Sequence, residues 1–184
     1  MSEIINELEE NPIIAAIREN ALDEVIDSPV NIVFLLDAGI MTVKDIIARL
    51  HAAGKKVFVH LDLASGIGKD KAGVEYLAGL SVDGIISTRA NIIHFAKEQK
   101  LLAVQRFFAL DSQGVSAIED MVKASRPDMI EIMPAMATKV IKRISSLGVP
   151  VIAGGLIEEK SEVLAALSSG AIAISTGKSQ LWYI

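Results

Sequence analysis

The residues of this chain able to do chemistry recur at one kind of position, at or just past the end of a short apolar run. In order they are Arg18, Asp37, His60 with Asp62, the Ser87-Thr88-Arg89 triplet, Arg106, Glu131, the Gly154-Gly155 pair and Ser175-Thr176-Gly177. An unpaired charge in an apolar interior is costly, so such groups must face one another, water or a ligand. Two segments carry the clearest pattern. PVIAGGLI sets two glycines straight after an apolar run, and AISTGKSQLW sets Ser-Thr-Gly at the start of a short terminal helix. Glycines let a backbone approach an anion closely, and N–H groups at a helix start point at it. Gly154, Gly155, Ser175, Thr176 and Gly177 are therefore expected to bind a phosphate, with Lys178 as a further donor. The plainer reading is a tight turn at the glycine pair and a capping role for the Ser-Thr pair.

Arg18, Arg89 and Arg106 each carry a planar donor fork that suits a phosphate or a carboxylate. Arg106 interrupts the run AVQRFF and, on a period of two, shares a face with Val104 and Phe108. It needs a buried carboxylate, and Glu131 is the neighbour expected to supply it. His60 and Asp62 are two residues apart and are expected to share one strand face, as a general base and its orienting group would. Arg18, His60, Asp62, Arg89, Arg106 and Glu131 are the expected lining of a ligand cavity. Asp37 carries no distinctive motif. No HExxH motif or paired-carboxylate metal motif appears, and Asp37, Asp62 and Glu131 make only a weak Mg²⁺ pattern, so no metal is expected. No lysine closes a strand, which argues against Schiff-base chemistry, and no catalytic residue is assigned. Phe107, Phe108 and Trp182 read as core.

The elements that must position these groups alternate. Strands are predicted at 13–17, 31–36, 56–61, 84–87, 102–108, 129–133, 150–154 and 171–175. Helices are predicted at 21–27, 42–53, 70–79, 90–99, 114–124, 136–146, 159–168 and 178–182, with Thr42 as an N-cap and Gly54 and Gly170 as stops. Residues 1–11 form an acidic lead-in, helical or frayed. Strict βα alternation implies a parallel sheet, and eight repeats imply closure into a (β/α)8 TIM barrel with short loops. An open doubly wound sheet is the alternative. In a barrel, function sits where these polar groups lie, at the C-terminal strand ends. One domain over residues 1–184 is expected, without linker or low-complexity tract.

Composition narrows the class. The 184 residues are 51% hydrophobic and 22% charged, too apolar for a disordered chain. There is no cysteine, which excludes disulfides, thiolate nucleophiles and Cys-ligated metal. The mean hydropathy is +0.43, yet no stretch reaches the ~20 apolar residues of a membrane span, and the acidic N-terminus lacks signal-peptide features. A cytoplasmic protein without membrane contact is expected. Both a monomer and a homo-oligomer fit these residues.

Seven collinear stretches resemble one family, the glycerol-3-phosphate-responsive antiterminators, also called glycerol uptake operon antiterminator regulatory proteins. They are NPIIAAIR (11–18), VFVHLDLASGIGKD (57–70), DGIISTRANIIHFAKE (83–98), AVQRFFALDS (103–112), PDMIEIMPAM (127–136), PVIAGGLI (150–157) and AISTGKSQLW (173–182). The resemblance implies a short (β/α)8 barrel that binds glycerol 3-phosphate, needs no other cofactor, and acts on the leader mRNA of glycerol-catabolism genes to prevent transcription termination. On that resemblance Gly154, Gly155, Ser175 and Thr176 cradle the phosphate, and Arg18, His60, Asp62, Arg89 and Glu131 line the cavity. The net charge of −5 gives no global attraction to RNA, so a local patch is required, at Lys55-Lys56, Lys97-Lys100 or Lys139, Lys142 and Arg143. Two other classes compete. One is a small sugar-phosphate isomerase or hydrolase using His60 and Asp62, and the other is a scaffold that binds only a partner protein.

Overall fold

Strands buried on both faces of a parallel sheet need no polar alternation, which is why apolar runs become strands here. The computed structural model describes residues 2–109 and 112–184. Met1 of the lead-in and Leu110 and Asp111 of the AVQRFFALDS stretch lie outside the described residues. The strands are β1 Ile13–Ile17, β2 Ile32–Leu35, β3 Lys56–His60, β4 Gly84–Ser87, β5 Leu102–Phe108, β6 Met129–Met133, β7 Val151–Gly154 and β8 Ala173–Thr176. Each pairs in parallel with the next, and β8 pairs with β1, so the sheet is a closed barrel. The α-helices are α1 Ser2–Glu10, α2 Leu22–Ile26, α3 Val43–Ala52, α4 Lys71–Gly79, α5 Ala90–Glu98, α6 Ser112–Ser125, α7 Thr138–Ser145 and α8 Lys160–Ser168. Among the described residues no helix is long and apolar enough to cross a membrane.

Several boundaries differ from expectation for local reasons. The segment 21–27 is split into a 3-10 turn, Glu19–Ala21, and the short α2. The segment 136–146 starts late, because residues after the cis Met133–Pro134 bond first form a turn closed by the Ala137 N–H on the Pro134 carbonyl. The last helix is a 3-10 stretch, Ser179–Tyr183. Thr42 does not cap α3 with its side chain; its hydroxyl donates to Glu19 Oε1 at 2.6 Å. Gly54 ends α3 in the left-handed region, at φ +74°, as expected.

The acidic lead-in is a structural part. Ile4 and Leu8, four residues apart on α1, are buried with the lumen residues of the strands. Lys56 at the start of β3 anchors α1 by donating to Glu3 at 2.7 Å and Glu7 at 2.6 Å. The helix thereby closes the N-terminal end of the barrel.

The strand registers order the lumen into layers of four side chains. His60 aligns with Ile86 and Ile86 with Val104, and two residues further along β5 stands Arg106. Repeating the step leads through Glu131 and Ile152 to Gly154, through Ser175 and Ile14 to Ala16, and through Phe34 and Phe58 back to His60. Closure of this circuit is what a (β/α)8 barrel requires of tilted strands. The upper layer is thus Ala16, His60, Arg106 and Gly154. Beneath it lie Phe34, Ile86, Glu131 and Ser175, then Ile14, Phe58, Val104 and Ile152, then Ile32, Gly84, Met129 and Ala173. Gly84 has no room for a side chain, since a Cβ would stand 2.3 Å from the Phe58 ring. The lumen is apolar from α1 upward and turns polar only in the top two layers.

Candidate functional site

The polar layers form one hydrogen-bonded cluster. Arg106 Nε donates to Glu131 Oε2 at 2.5 Å, and Ser175 Oγ donates to Glu131 Oε1 at 2.6 Å. Glu131 is 1% exposed, so both its oxygens are engaged in a nearly dry interior where unpaired charge would be costly. This is the partner expected for Arg106, reached because Arg106 and Glu131 are aligned on adjacent strands. Gly154, aligned with Ser175, makes the cluster fit, since a Cβ there would stand 2.4 Å from Ser175 Oγ and 2.6 Å from Glu131 Oε1.

His60 shares the upper layer with Arg106. It is 3% exposed, and its Nδ1 is buried without a hydrogen-bond partner. Burial, and then the positive charge of Arg106, push its pKa down to about 4, against the opposing pull of Asp62 and Glu131. The imidazole is neutral at physiological pH. The expected sharing of a strand face by His60 and Asp62 does not hold. Strand β3 stops at His60, and Asp62 lies in a 3-10 turn, Leu61–Leu63. There Asp62 accepts from the Thr88 N–H at 2.7 Å and from the hydroxyls of Ser87 and Thr88 at 2.8 and 2.9 Å. Burial alone would raise its pKa, but these three bonds outweigh it and hold the carboxyl below its ordinary value. Arg89 is half-exposed at the rim, 3.7 Å from Asp62.

Above the cluster opens a cavity of 660 Å³. Arg106, Glu131 and Ser175 line it from the lumen, Arg18 and Leu36 from the ends of β1 and β2, and Gly155, Leu156, Thr176, Gly177 and Lys178 from the turns after β7 and β8. The two turns therefore meet at one end of the barrel. Gly155 takes φ +78° and Leu156 φ +57°. A left-handed leucine is unusual, and such strain concentrates at functional sites. Thr176 points to the outer layer, where its hydroxyl accepts from the Lys178 N–H at 3.1 Å and its carbonyl accepts from Trp182 Nε1 at 3.0 Å. Arg18 is exposed and paired with Asp37 at 3.3 Å, and Lys178 with Glu158 at 3.1 Å. Among the expected site residues, Gly154, His60, Asp62 and Arg89 do not line this cavity.

The structure adds groups the sequence did not single out. Leu156 lines the cavity with no polar signal to announce it. A second cavity of 460 Å³ lies beside Glu19, Asp37, Thr42 and Ser65, where Asp37 accepts from the Glu19 N–H at 3.0 Å. Phe108, read as core, is 51% exposed at the end of β5. Gln105, facing the helices, accepts from Ser125 Oγ at 2.5 Å and ties α6 to the sheet.

Fold and cavity together define a short-looped (β/α)8 barrel with a buried ionic cluster beneath a cavity at the C-terminal strand ends. Comparison with known proteins sharpens this. Residues 13–182 match the family described as glycerol-3-phosphate responsive antiterminator, and the chain belongs to that family. It is 33% identical to the YgcP protein of Escherichia coli K12 over 182 residues, covering 97% of this chain and 95% of that one. The solved glycerol uptake operon antiterminator regulatory protein of Listeria monocytogenes matches with TM-score 0.89 at 33% identity, covering 94% of this chain and 95% of that one. A solved antiterminator-related protein from Thermotoga maritima matches with TM-score 0.84 at 34% identity, covering 92% and 96%.

Proposed function

We propose that this chain binds glycerol 3-phosphate in the 660 Å³ cavity and, so loaded, acts on the leader mRNA of glycerol-catabolism genes. The phosphate lies against the turns after β7 and β8, held by the backbone at Gly155-Leu156 and Thr176-Gly177-Lys178 with Arg18 nearby. The glycerol end points down toward Arg106, Glu131 and Ser175. Asp62 and Arg89 act at the rim, fixing the β3 and β4 loops. Family membership supports the regulatory role, and the observation that carries the placement is the meeting of both turns in one cavity with Arg106 at its floor. Regulation follows if ligand binds one arrangement of these loops better than another. We place the protein in the cytoplasm, where its ligand and nascent mRNA occur together.

Gly155→Asp tests the placement. Asp tolerates the left-handed region, and the atom its Cβ meets, Met133 Cε at 2.6 Å, is the movable end of a flexible side chain. The introduced carboxylate would sit beside the phosphate, a repulsion of about 4 kcal/mol at 4 Å and an effective dielectric near 20. Calorimetry should show glycerol 3-phosphate affinity falling roughly 100- to 1,000-fold in a folded variant. Unchanged affinity would contradict the placement.

A further inference from the structure

The net charge of −5 hides an uneven distribution. Residues 89–146 hold nine Lys and Arg against six Asp and Glu, whereas the rest of the chain holds nine against seventeen. Most carboxylates of the basic sector are already engaged: Glu98 with Lys71, Glu119 with Arg143, Asp128 with Lys97, and Glu131 with Arg106. On α6, α7 and the residue after α6, Lys123, Arg126, Lys139 and Lys142 are exposed and, among the described residues, have no ion-pair partner. The Arg143–Glu119 pair, at 2.5 Å, joins the two helices into one face. The apolar side of α7, Ile141 and Ile144, is buried against the barrel, so its outer side presents cations with no apolar strip for a lipid surface.

Most of the other basic candidates are consumed by the fold, and Lys100, exposed after α5, is a lone cation rather than a cluster. Lys55 is buried and donates to the Ser28 and Val30 carbonyls, Lys56 holds α1, and Lys97 donates to the Arg126 carbonyl. In the chain, β5, which carries Arg106, precedes α6, and β6, which carries Glu131 and Met133, precedes α7.

We propose that the outer face of α6 and α7, with Lys123, Arg126, Lys139, Lys142 and Arg143, is the surface that grips the phosphodiester backbone of RNA. This rests on the antiterminator reading above. Backbone phosphates are recognised by clustered cations, and the face provides four unpaired ones beside the Glu119-bound Arg143, in a chain otherwise repulsive to polyanions.

The test uses the full chain and leader RNA of the glycerol operon from the same genome, with glycerol 3-phosphate present. The variant is Lys123→Gln/Lys139→Gln/Lys142→Gln, and the control, with equal charge loss elsewhere, is Lys44→Gln/Lys71→Gln/Lys160→Gln. All six positions are surface-exposed and Gln preserves helix propensity. Removing three contacts should weaken RNA binding roughly tenfold or more and lower the slope of log K against log salt by about 2. The control should bind as wild type, and both should keep wild-type calorimetric affinity for glycerol 3-phosphate. Equal losses in both triples would overturn the proposal, showing only a net-charge effect. Wild-type RNA binding by the α6–α7 triple would overturn it while leaving the antiterminator reading intact. Loss of binding to poly-glutamate, with RNA binding unchanged, would assign the face to an acidic protein instead. If the wild type binds no leader RNA with glycerol 3-phosphate present, the antiterminator reading fails and this proposal with it.

Discussion

Gly154→Ala probes whether the ionic cluster is as tightly built as its geometry states. The new Cβ would stand 2.4 Å from Ser175 Oγ and 2.6 Å from Glu131 Oε1. Neither atom is free to swing away, because they are bonded to each other at 2.6 Å and Glu131 is held by Arg106 at 2.5 Å. The methyl must part them. A hydrogen bond to a charged partner contributes ~1.5–3 kcal/mol, and overpacking costs ~1–3 kcal/mol. The two overlap, since breaking the bond relieves the strain, so a loss of about 2–4 kcal/mol is expected. In a chain of this size each kcal/mol moves Tm by ~2–4 °C, giving a drop of roughly 5–15 °C in a thermal melt followed by circular dichroism. In a Ser175→Ala background one of the two clashes is gone, and the added cost of Gly154→Ala should fall to about half. A Gly154→Ala protein as stable as wild type, or strictly additive losses in the double variant, would refute this picture of the cluster.

Three further outcomes follow from the same packing. Glu131→Gln leaves the Arg106 charge buried without its counter-ion and should destabilise by about 3–5 kcal/mol in urea unfolding, whereas Arg106→Met/Glu131→Leu should lose less. His60 has a folded pKa of about 4 against 6.5 unfolded, so the unfolded state binds more protons between those values. Stability should therefore fall as pH drops from 6.5 toward 4, by roughly 3 kcal/mol from this group, and His60→Gln should flatten the profile in that window while leaving it unchanged above. Leu8→Ala empties the plug under the barrel and should cost about 2–5 kcal/mol, measured by denaturant unfolding.

The barrel was legible because its strands are buried on both sides and the turns between units are short, so hydrophobic runs and stop signals fall at a steady spacing. Arg106 and Glu131 were legible as a pair because a charge within an apolar run demands a partner and adjacent parallel strands supply few. His60 and Asp62 misled because a period of two holds only while the strand lasts, and β3 ends between them. Lead-in helix α1 was half-legible. Its charges suggested solvent, but Ile4 and Leu8 sit one turn apart and fill the barrel base. Gly154 and Gly155 look alike in sequence yet do different things, one making space for Ser175 and Glu131 and the other turning the chain at φ +78°. Leu156 could not be found from sequence, since its distinction is its backbone angle. Phe108 continues a run of core residues, but two positions past Arg106 on the lumen face it stands beyond the top layer, exposed at the barrel mouth.

A crystal structure of the chain with glycerol 3-phosphate decides the matter. The phosphorus is expected between the Gly155-Leu156 and Gly177-Lys178 turns, with the glycerol hydroxyls toward Arg106 and Ser175. An anion lodged instead beside Glu19 and Thr42, or density absent from both turns at saturating ligand, would contradict the proposed site.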